Sequence, residues 1–377
     1  RGGPMAMSPV GADQFLDITV TIEAGAEASN QLGYPCLIYD DTGDRFSIYT
    51  SAAAIATALA AGDLTSAAAA ALTTAFSQAA PVPAGVVAIR YDSGTSETPI
   101  IGLEAALSDG LDAGGFVLAS GTETAQETLA GWFSADPQRL ARYLFFVQSN
   151  DTNIYGGSKP ASLNDCELQN CRMFYASDDT RYIAFAALAR ACAKPLVGTA
   201  TGNVQTNPGP AGAFANIRGV TPESALTAPN IANLITNDVG FLQAFDHGSD
   251  STEYNISGSP NMYDGSNYTT AVTAIFASRQ LRAVLGALWQ TYSDAGAGIL
   301  GNGDGIGVCE STAKPVLDEM AAAKHFTLTN PNYPGGFKIV GSIITVSGVE
   351  RVSLAVTLAT PGGIAGITVP VVAREVS

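Results

Sequence analysis

The sequence predicts an α/β fold, with a mainly parallel sheet core, flanking helices, and terminal β-strand extensions that augment the sheets of other subunits. Two observations lead to this prediction. Between residues 36 and 199, short apolar strands alternate with helices of roughly 10 to 15 residues, which is typical of βαβ units and a parallel sheet. Near each end of the chain, large aliphatic and polar residues alternate, which is typical of a strand with one buried face.

Residues 1–30 are predicted to be an N-terminal extension with an exchange strand. In this extension Leu16, Ile18, Val20 and Ile22 alternate with polar residues. Chain rich in Gly, Pro and Ser precedes the strand and sets it apart from the core. A strand separated in this way can complete the sheet of another molecule by β-augmentation.

Residues 31–200 are predicted to be the α/β core. Its first helix is expected after Ser51, a good N-cap residue, and is expected to end at Gly62. The continuous apolar run at 86–89 predicts a strand that is buried on both faces. The other elements predicted for this core are strands at 36–39, 116–119, 143–147 and 173–176, and helices at 66–78, 124–133 and 180–193.

Residues 201–336 are predicted to be a helical continuation. Its helices are expected at 229–245, at 268–292, which is the longest, and from a cap at Ser311 or Thr312 to about residue 326. The polar stretch 246–267 is predicted to be an exposed insertion, and 296–307 a glycine-dense loop.

Residues 337–377 are predicted to be a C-terminal β segment that ends in a second exchange strand. Alternation is clear over 351–358 and resumes after a Pro-Gly-Gly breaker with Ile367, Val369 and Val371. Pro370 has no N–H to donate, so the last strand is expected at a sheet edge or in another domain.

Composition narrows the possible functions. With 46% hydrophobic and 14% charged residues, the chain is expected to be folded. The net charge of −16 argues against nucleic-acid and anionic-membrane partners, because both require basic patches. No uninterrupted apolar run approaches the roughly 20 residues of a transmembrane helix. The first residues lack the apolar core of a signal peptide, so we expect synthesis in the cytosol.

None of the short motifs meets the structural requirements of a catalytic or metal site. Gly296, Gly298 and Gly301 have the dinucleotide-binding spacing but follow a predicted helix instead of a strand. Cys166 and Cys171 lack two further ligands at zinc-like spacing. We therefore predict no catalytic residues, no metal, no cofactor and no enzymatic activity.

The remaining site-forming residue types are expected to be structural. The five cysteines are scattered, which predicts free buried thiols instead of a disulfide framework. His247 and His325 lie far apart, in the absence of a nucleophile elbow or an H-E-x-x-H motif, and are expected at the surface or at helix ends. Asp294, Asn302 and Asp304 lack the spacing of a calcium-binding EF-hand loop.

The chain resembles the contractile-tail sheath proteins of phages and related injection systems, as a small and divergent member. The resemblance lies in the order of elements: the strand at 16–22, the core with the segment 182–187, the late helix that 310–315 opens, and the final segment 369–372. In that family the terminal extensions pair with the sheets of neighbouring subunits, and the late helix faces an inner tube. The resemblance therefore implies that Lys314 and Lys324 face the tube.

The resemblance also implies partners and a location. The expected partners are further copies of the chain in a helical homo-oligomer, an inner tail tube protein, and baseplate and tail terminator proteins, without direct nucleic-acid or membrane contact. The expected location is the virion tail, after assembly in the host cytoplasm. Two alternatives stay open: an α/β enzyme of unidentified reaction, and a surface or adhesin-type structural module, which the acidic composition rich in Thr, Ser and Gly favours.

Overall fold

The computed structural model describes much of the chain after residue 31. The described residues are 32–78, 82–119, 122–193, 216–244, 254–259, 261–295, 299, 301–323, 325–326, 331–346, 349–360 and 363–370. They divide into two compact units, one within Ser29–Ile275 and one within Phe276–Ser377. The predicted strand at 16–22 lies outside the described residues, as do Lys324, Val371 and His247.

The first unit contains a nine-stranded sheet in the order β2-β3-β1-β4-β5-β6-β8-β9-β7. Its strands are β1 (Tyr34–Asp40), β2 (Phe46–Tyr49), β3 (Val86–Tyr91), β4 (Ala113–Leu118), β5 (Leu144–Ser149), β6 (Cys171–Tyr175), β7 (Asn216–Ile217), β8 (Val239–Ala244) and β9 (Tyr254–Gly258). The strands from β3 to β8 in this order are parallel, whereas β2, β9 and β7 join antiparallel. The predicted mainly parallel α/β fold is confirmed.

Helices connect these strands where capping residues and alanine-rich segments predict them. They are α1 (Ala52–Ala61), α2 (Ser66–Phe76), α3 (Pro99–Ser108), α4 (Glu123–Ser134), α5 (Pro137–Leu140), α6 (Ile183–Ala193) and α7 (Ala228–Thr236). The Ser51 side chain accepts from the amide of Ala54, and Gly62 ends α1 in the left-handed conformation, φ 82°. Both predicted ends of the first helix are therefore confirmed. Helix α3 begins after the cap Thr98 and was not predicted.

The core of this unit lies between the helices and the central strands. Every residue of β4 is buried, as expected for a strand covered on both faces. Phe133 of α4 stacks on Phe145 of β5, with ring centroids 5.0 Å apart. At Gly115 an added Cβ would lie 2.7 Å from Leu188 Cδ1 of α6, so glycine permits the close approach of helix and sheet.

The predicted helix over 229–245 is wrong in its second half. Helix α7 ends at Thr236, Asp238 takes a left-handed conformation with φ 58°, and the chain continues as strand β8. The Asp238 carboxylate accepts hydrogen bonds from Ser259 Oγ at 2.6 Å and Asn261 Nδ2 at 3.0 Å. A left-handed residue directly after the C-cap is a usual helix end, and the apolar residues that follow Asp238 pair in the sheet.

The stretch 246–267, predicted to be an exposed insertion, contributes to the sheet and the core. Strand β9 pairs antiparallel with β8. Met262 and Tyr263 are fully buried, and the Tyr263 amide donates to the carbonyl of Cys171 at 2.9 Å. The many polar residues of this stretch form turns around a short strand, which explains why its composition resembles that of an exposed loop.

The division between the two units falls within helix α8 (Tyr268–Asp294). This helix is long and apolar enough, by length and composition alone, to cross a membrane. Its most apolar window is 56% buried inside the protein, as in a core helix. Arg279, Gln280 and Arg282 interrupt its apolar sequence.

The second unit contains helix α9 (Gly303–Ala322) and a three-stranded sheet. Asn302 caps α9 by accepting from the amides of Asp304 and Gly305. The helix therefore begins inside the predicted glycine loop, and Ser311 and Thr312 lie within it; their prediction as caps is wrong. The cap forms because an Asn side chain satisfies helix amides that would otherwise have no acceptor.

Candidate functional site

The three-stranded sheet of the second unit contains Ile367 and Val369 of the final segment that the sequence predicts for subunit exchange. Its strands are β10 (Phe337–Val346), β11 (Val349–Thr360) and β12 (Gly363–Pro370), all antiparallel and in chain order. Ile367 pairs with Val356, and Val369 with Leu354. In the single chain, therefore, the last predicted strand pairs with its own neighbour β11.

One face of this sheet packs against helix α9. On β11 the alternating residues Val352, Leu354, Val356 and Leu358 are at most 1% exposed, which confirms the predicted buried face. Helix α9 contacts both β10 and β11. Its buried residues recur at helical spacing, and they include Cys309, Ala313, Leu317 and Met320. Each large side chain buried in this way contributes about 1.5–3 kcal/mol to stability.

Helix α9 and the sheet lie close together at Gly341 of β10. A Cβ added there would lie 2.2 Å from Ile306 Cγ2 and 3.0 Å from Glu310 Oε1, so a side chain requires a shift of the helix or the strand. The Gly341 amide donates to Glu310 Oε1 at 2.8 Å. Neither residue was predicted from the sequence to be part of a site. The sequence features that could have indicated them are a glycine within strand β10 and an acidic residue on the late helix.

The hydrogen-bond register shows which backbone groups face outward from β10. The Ala359 amide donates to the Gly336 carbonyl at 2.8 Å, so even-numbered residues bond to β11 and odd-numbered residues face the outer edge. Gly341 is one of the outward-facing residues, which agrees with its bond to Glu310. The outer edges of β10 and β12 have no strand partner within the described part of the chain. Edges of this kind are templates for strand addition.

Lys314 lies on the exposed side of α9. Its Nζ is 2.5 Å from Asp318 Oδ2 and 5.9 Å from the centre of the Phe337 ring. The exposed residues of this helix also include the acidic Asp304, Asp318 and Glu319. The described part of this helix surface therefore carries acidic side chains beside Lys314, and it is not purely basic.

The other residues singled out in the sequence are structural where the chain is described. All five cysteines are free and buried, as predicted. Burial raises the pKa of the Cys171 thiol well above its usual value, and the neighbouring Cys166 raises it further. A thiol that stays protonated is a poor nucleophile. Among the described residues, no group of three or more His, Cys, Asp or Glu side chains is arranged to hold a metal ion.

His325 lies just beyond the end of helix α9, which is one of the two positions predicted for it, but it is fully buried in the second unit and not at the surface. Its ring lies 5.9 Å from that of Phe276, and its amide donates to the Met320 carbonyl at 3.0 Å. The glycines with dinucleotide-binding spacing, Gly296, Gly298 and Gly301, follow helix α8 in the chain. A dinucleotide site requires a strand before these glycines, and the described residues before them form a helix.

Three solved structures resemble the chain along most of its length. A chain of the anti-feeding prophage baseplate has a TM-score of 0.57 at 13% identity, covering 91% of this chain and 96% of that one. A chain of the contracted helical sheath of the anti-feeding prophage has a TM-score of 0.54 at 12% identity, covering 95% and 96%. The sheath tail protein of Listeria innocua has a TM-score of 0.50 at 8% identity, covering 73% and 59%. No protein-family model and no curated protein sequence matches the chain.

Proposed function

We propose that this chain, whose fold is that of contractile-tail sheath proteins, is a structural subunit that polymerises helically around an inner tube. The observation that carries the proposal is the three-stranded sheet, which leaves two long edges without a strand partner in the described part of the chain. The likeness in fold over 91–95% of the chain supports the same role.

Strand exchange supplies a physical mechanism for assembly. An interface between two different surfaces, repeated without closing, generates an open helix. The predicted strand of one copy, with Leu16, Ile18, Val20 and Ile22, adds to the sheet of a neighbour. The final segment, with Ile367, Val369 and Val371, exchanges between copies. In the polymer it pairs with β11 of a neighbouring copy in the way that it pairs with β11 of its own chain in the single chain. The exchanged segment keeps its register while it links two subunits.

Contraction follows from two packings of the same subunits. The strands tether neighbours while the α/β cores move between an extended and a contracted arrangement, and the difference in contact energy drives the change. No nucleotide hydrolysis enters this mechanism, so the subunit acts without a catalytic site. Lys314 and Lys324 contact the tube, and baseplate and terminator proteins contact the ends of the polymer.

The N-terminal strand provides the direct test. Changing Ile18 and Val20 to Asp puts charges on the face that strand addition buries, where each aliphatic side chain contributes about 1.5–3 kcal/mol. We expect a soluble, folded monomer that forms no tubes in negative-stain micrographs. Changing Thr19 and Thr21 to Asp is the matched control, because it adds the same charge to the opposite face, and tubes should still form.

Deletion of residues 362–377 tests the second exchange strand, and we again expect a folded monomer without tubes. A deletion variant that still polymerised would refute strand exchange. An unfolded chain in either experiment would assign the altered strand to its own core.

A further inference from the structure

We propose that Glu310 guards the β10 edge of the three-stranded sheet, so that the strand at 16–22 of a second copy adds at the β12 edge. The choice of a second copy as the occupant rests on the proposed function. The guarding of β10 rests on the geometry of the single chain.

The guarded group is a backbone donor at the middle of the β10 edge. By register, the outward-facing residues of β10 are the odd-numbered positions 337–345, and Gly341 is the third of these five. Its amide donates to Glu310 Oε1 at 2.8 Å. An ionised carboxylate only accepts hydrogen bonds, and its bonds to N–H groups are stronger than those between neutral groups. An incoming strand must displace this carboxylate before it can pair along the whole edge.

Packing keeps the carboxylate in place. Ile306 and Glu310 lie one helical turn apart on α9. Both reach β10 at Gly341, where an added Cβ would lie 2.2 Å from Ile306 Cγ2. The absence of a side chain at Gly341 lets the helix come close enough for its glutamate to reach the strand edge. Charged side chains at edge strands, and coverage of the edge by a helix, are known means of preventing unwanted pairing.

The β12 edge provides a row of donors of suitable length. In the register with β11, Ile364, Gly366 and Thr368 direct their backbone groups outward. Pro370 has no N–H, so this row ends there. The segment 16–22 has seven residues and β12 has eight, so an added strand can cover the edge. Addition at this edge continues the sheet with a fourth strand.

Amide hydrogen exchange on the monomeric Ile18→Asp, Val20→Asp chain tests the proposal. The probe is a synthetic peptide of residues 13–25 with the natural sequence. In this double variant, called the parent below, we expect the peptide to slow amide exchange in 363–370 and to leave the exchange rate of the Gly341 amide unchanged. In Glu310→Ala we expect the Gly341 amide to exchange roughly tenfold faster without peptide, because a hydrogen bond to a charged acceptor is lost. The peptide should then also protect the odd-numbered amides of β10.

Glu319→Ala is the control, since this glutamate is exposed on the same helix. Its exchange pattern should match that of the parent, and circular dichroism should show that both variants fold. Unchanged exchange of Gly341 in Glu310→Ala, or peptide protection of β10 in the parent, would overturn the guard. A lack of peptide protection in 363–370 would overturn the choice of β12 as the acceptor. Failure of the proposed function would show separately, as absence of tubes from the full natural chain.

Discussion

Gly341→Ala is the substitution whose effect on stability the structure defines most sharply. The new Cβ would lie 2.2 Å from Ile306 Cγ2, whereas carbon atoms in van der Waals contact are about 3.5–4.0 Å apart. The Ile306 side chain, the helix or the strand must therefore move by more than about 1 Å. Overpacking of this kind costs about 1–3 kcal/mol of unfolding free energy. We expect the upper part of this range, since the shift also strains the bond between the Gly341 amide and Glu310.

Two further variants show whether the steric explanation is correct. Gly307→Ala is the control, because Gly307 lies in α9 with no atom within 4 Å of the added Cβ. It should raise stability by about 0.5–1 kcal/mol, the usual gain when alanine replaces glycine in a helix. Ile306→Ala combined with Gly341→Ala should cost less than the sum of the two single changes, because removing the Ile306 methyl groups makes room for the new one.

The two tryptophans make the measurement specific to the second unit. Trp132 lies in the first unit and Trp289 in the second. In a Trp132→Phe background, urea unfolding followed by tryptophan fluorescence reports on the surroundings of Trp289, which belongs to the second unit. A Gly341→Ala variant as stable as its parent would refute the reasoning. So would a loss of stability that is the same with and without the Ile306 side chain.

Two predictions concern charge. The Arg45 side chain holds the pKa of Glu97 at about 2 by hydrogen bonds of 2.7 and 2.9 Å, below the usual 4.5. Because the folded-state pKa is lowered, this stabilisation is full above pH 4.5 and is lost as the pH falls to about 2. Glu97→Gln should make the melting temperature depend less on pH over this range. A pH dependence as steep as that of the natural chain would contradict the assignment. Changing Lys314 and Lys324 to Glu should block assembly on an acidic tube surface, because like charges at an interface cost several kcal/mol. Lys338→Glu is the control. Unchanged co-assembly of the double variant with the tube would exclude these two lysines from the contact.

Elements with local signals could be predicted from the sequence. Alternation over 351–358 predicted the buried face of β11, because the pleat of a strand directs successive side chains to opposite sides. Ser51 and Gly62 marked the ends of α1, because capping depends on a few neighbouring backbone groups. The continuous apolar strands and the helices between them predicted a mainly parallel sheet.

Features that depend on contacts between distant residues became visible in the folded chain alone. Strand β8 follows α7 and pairs with β6 and β9, and the Asp238 side chain at this junction bonds to residues more than twenty positions away. Glu310 and Gly341, 31 residues apart, became a pair only when α9 packed on β10. A local pattern shows which face of a strand is buried. It does not show which helix covers that face, or which edge stays open, because many packings are compatible with the same alternation.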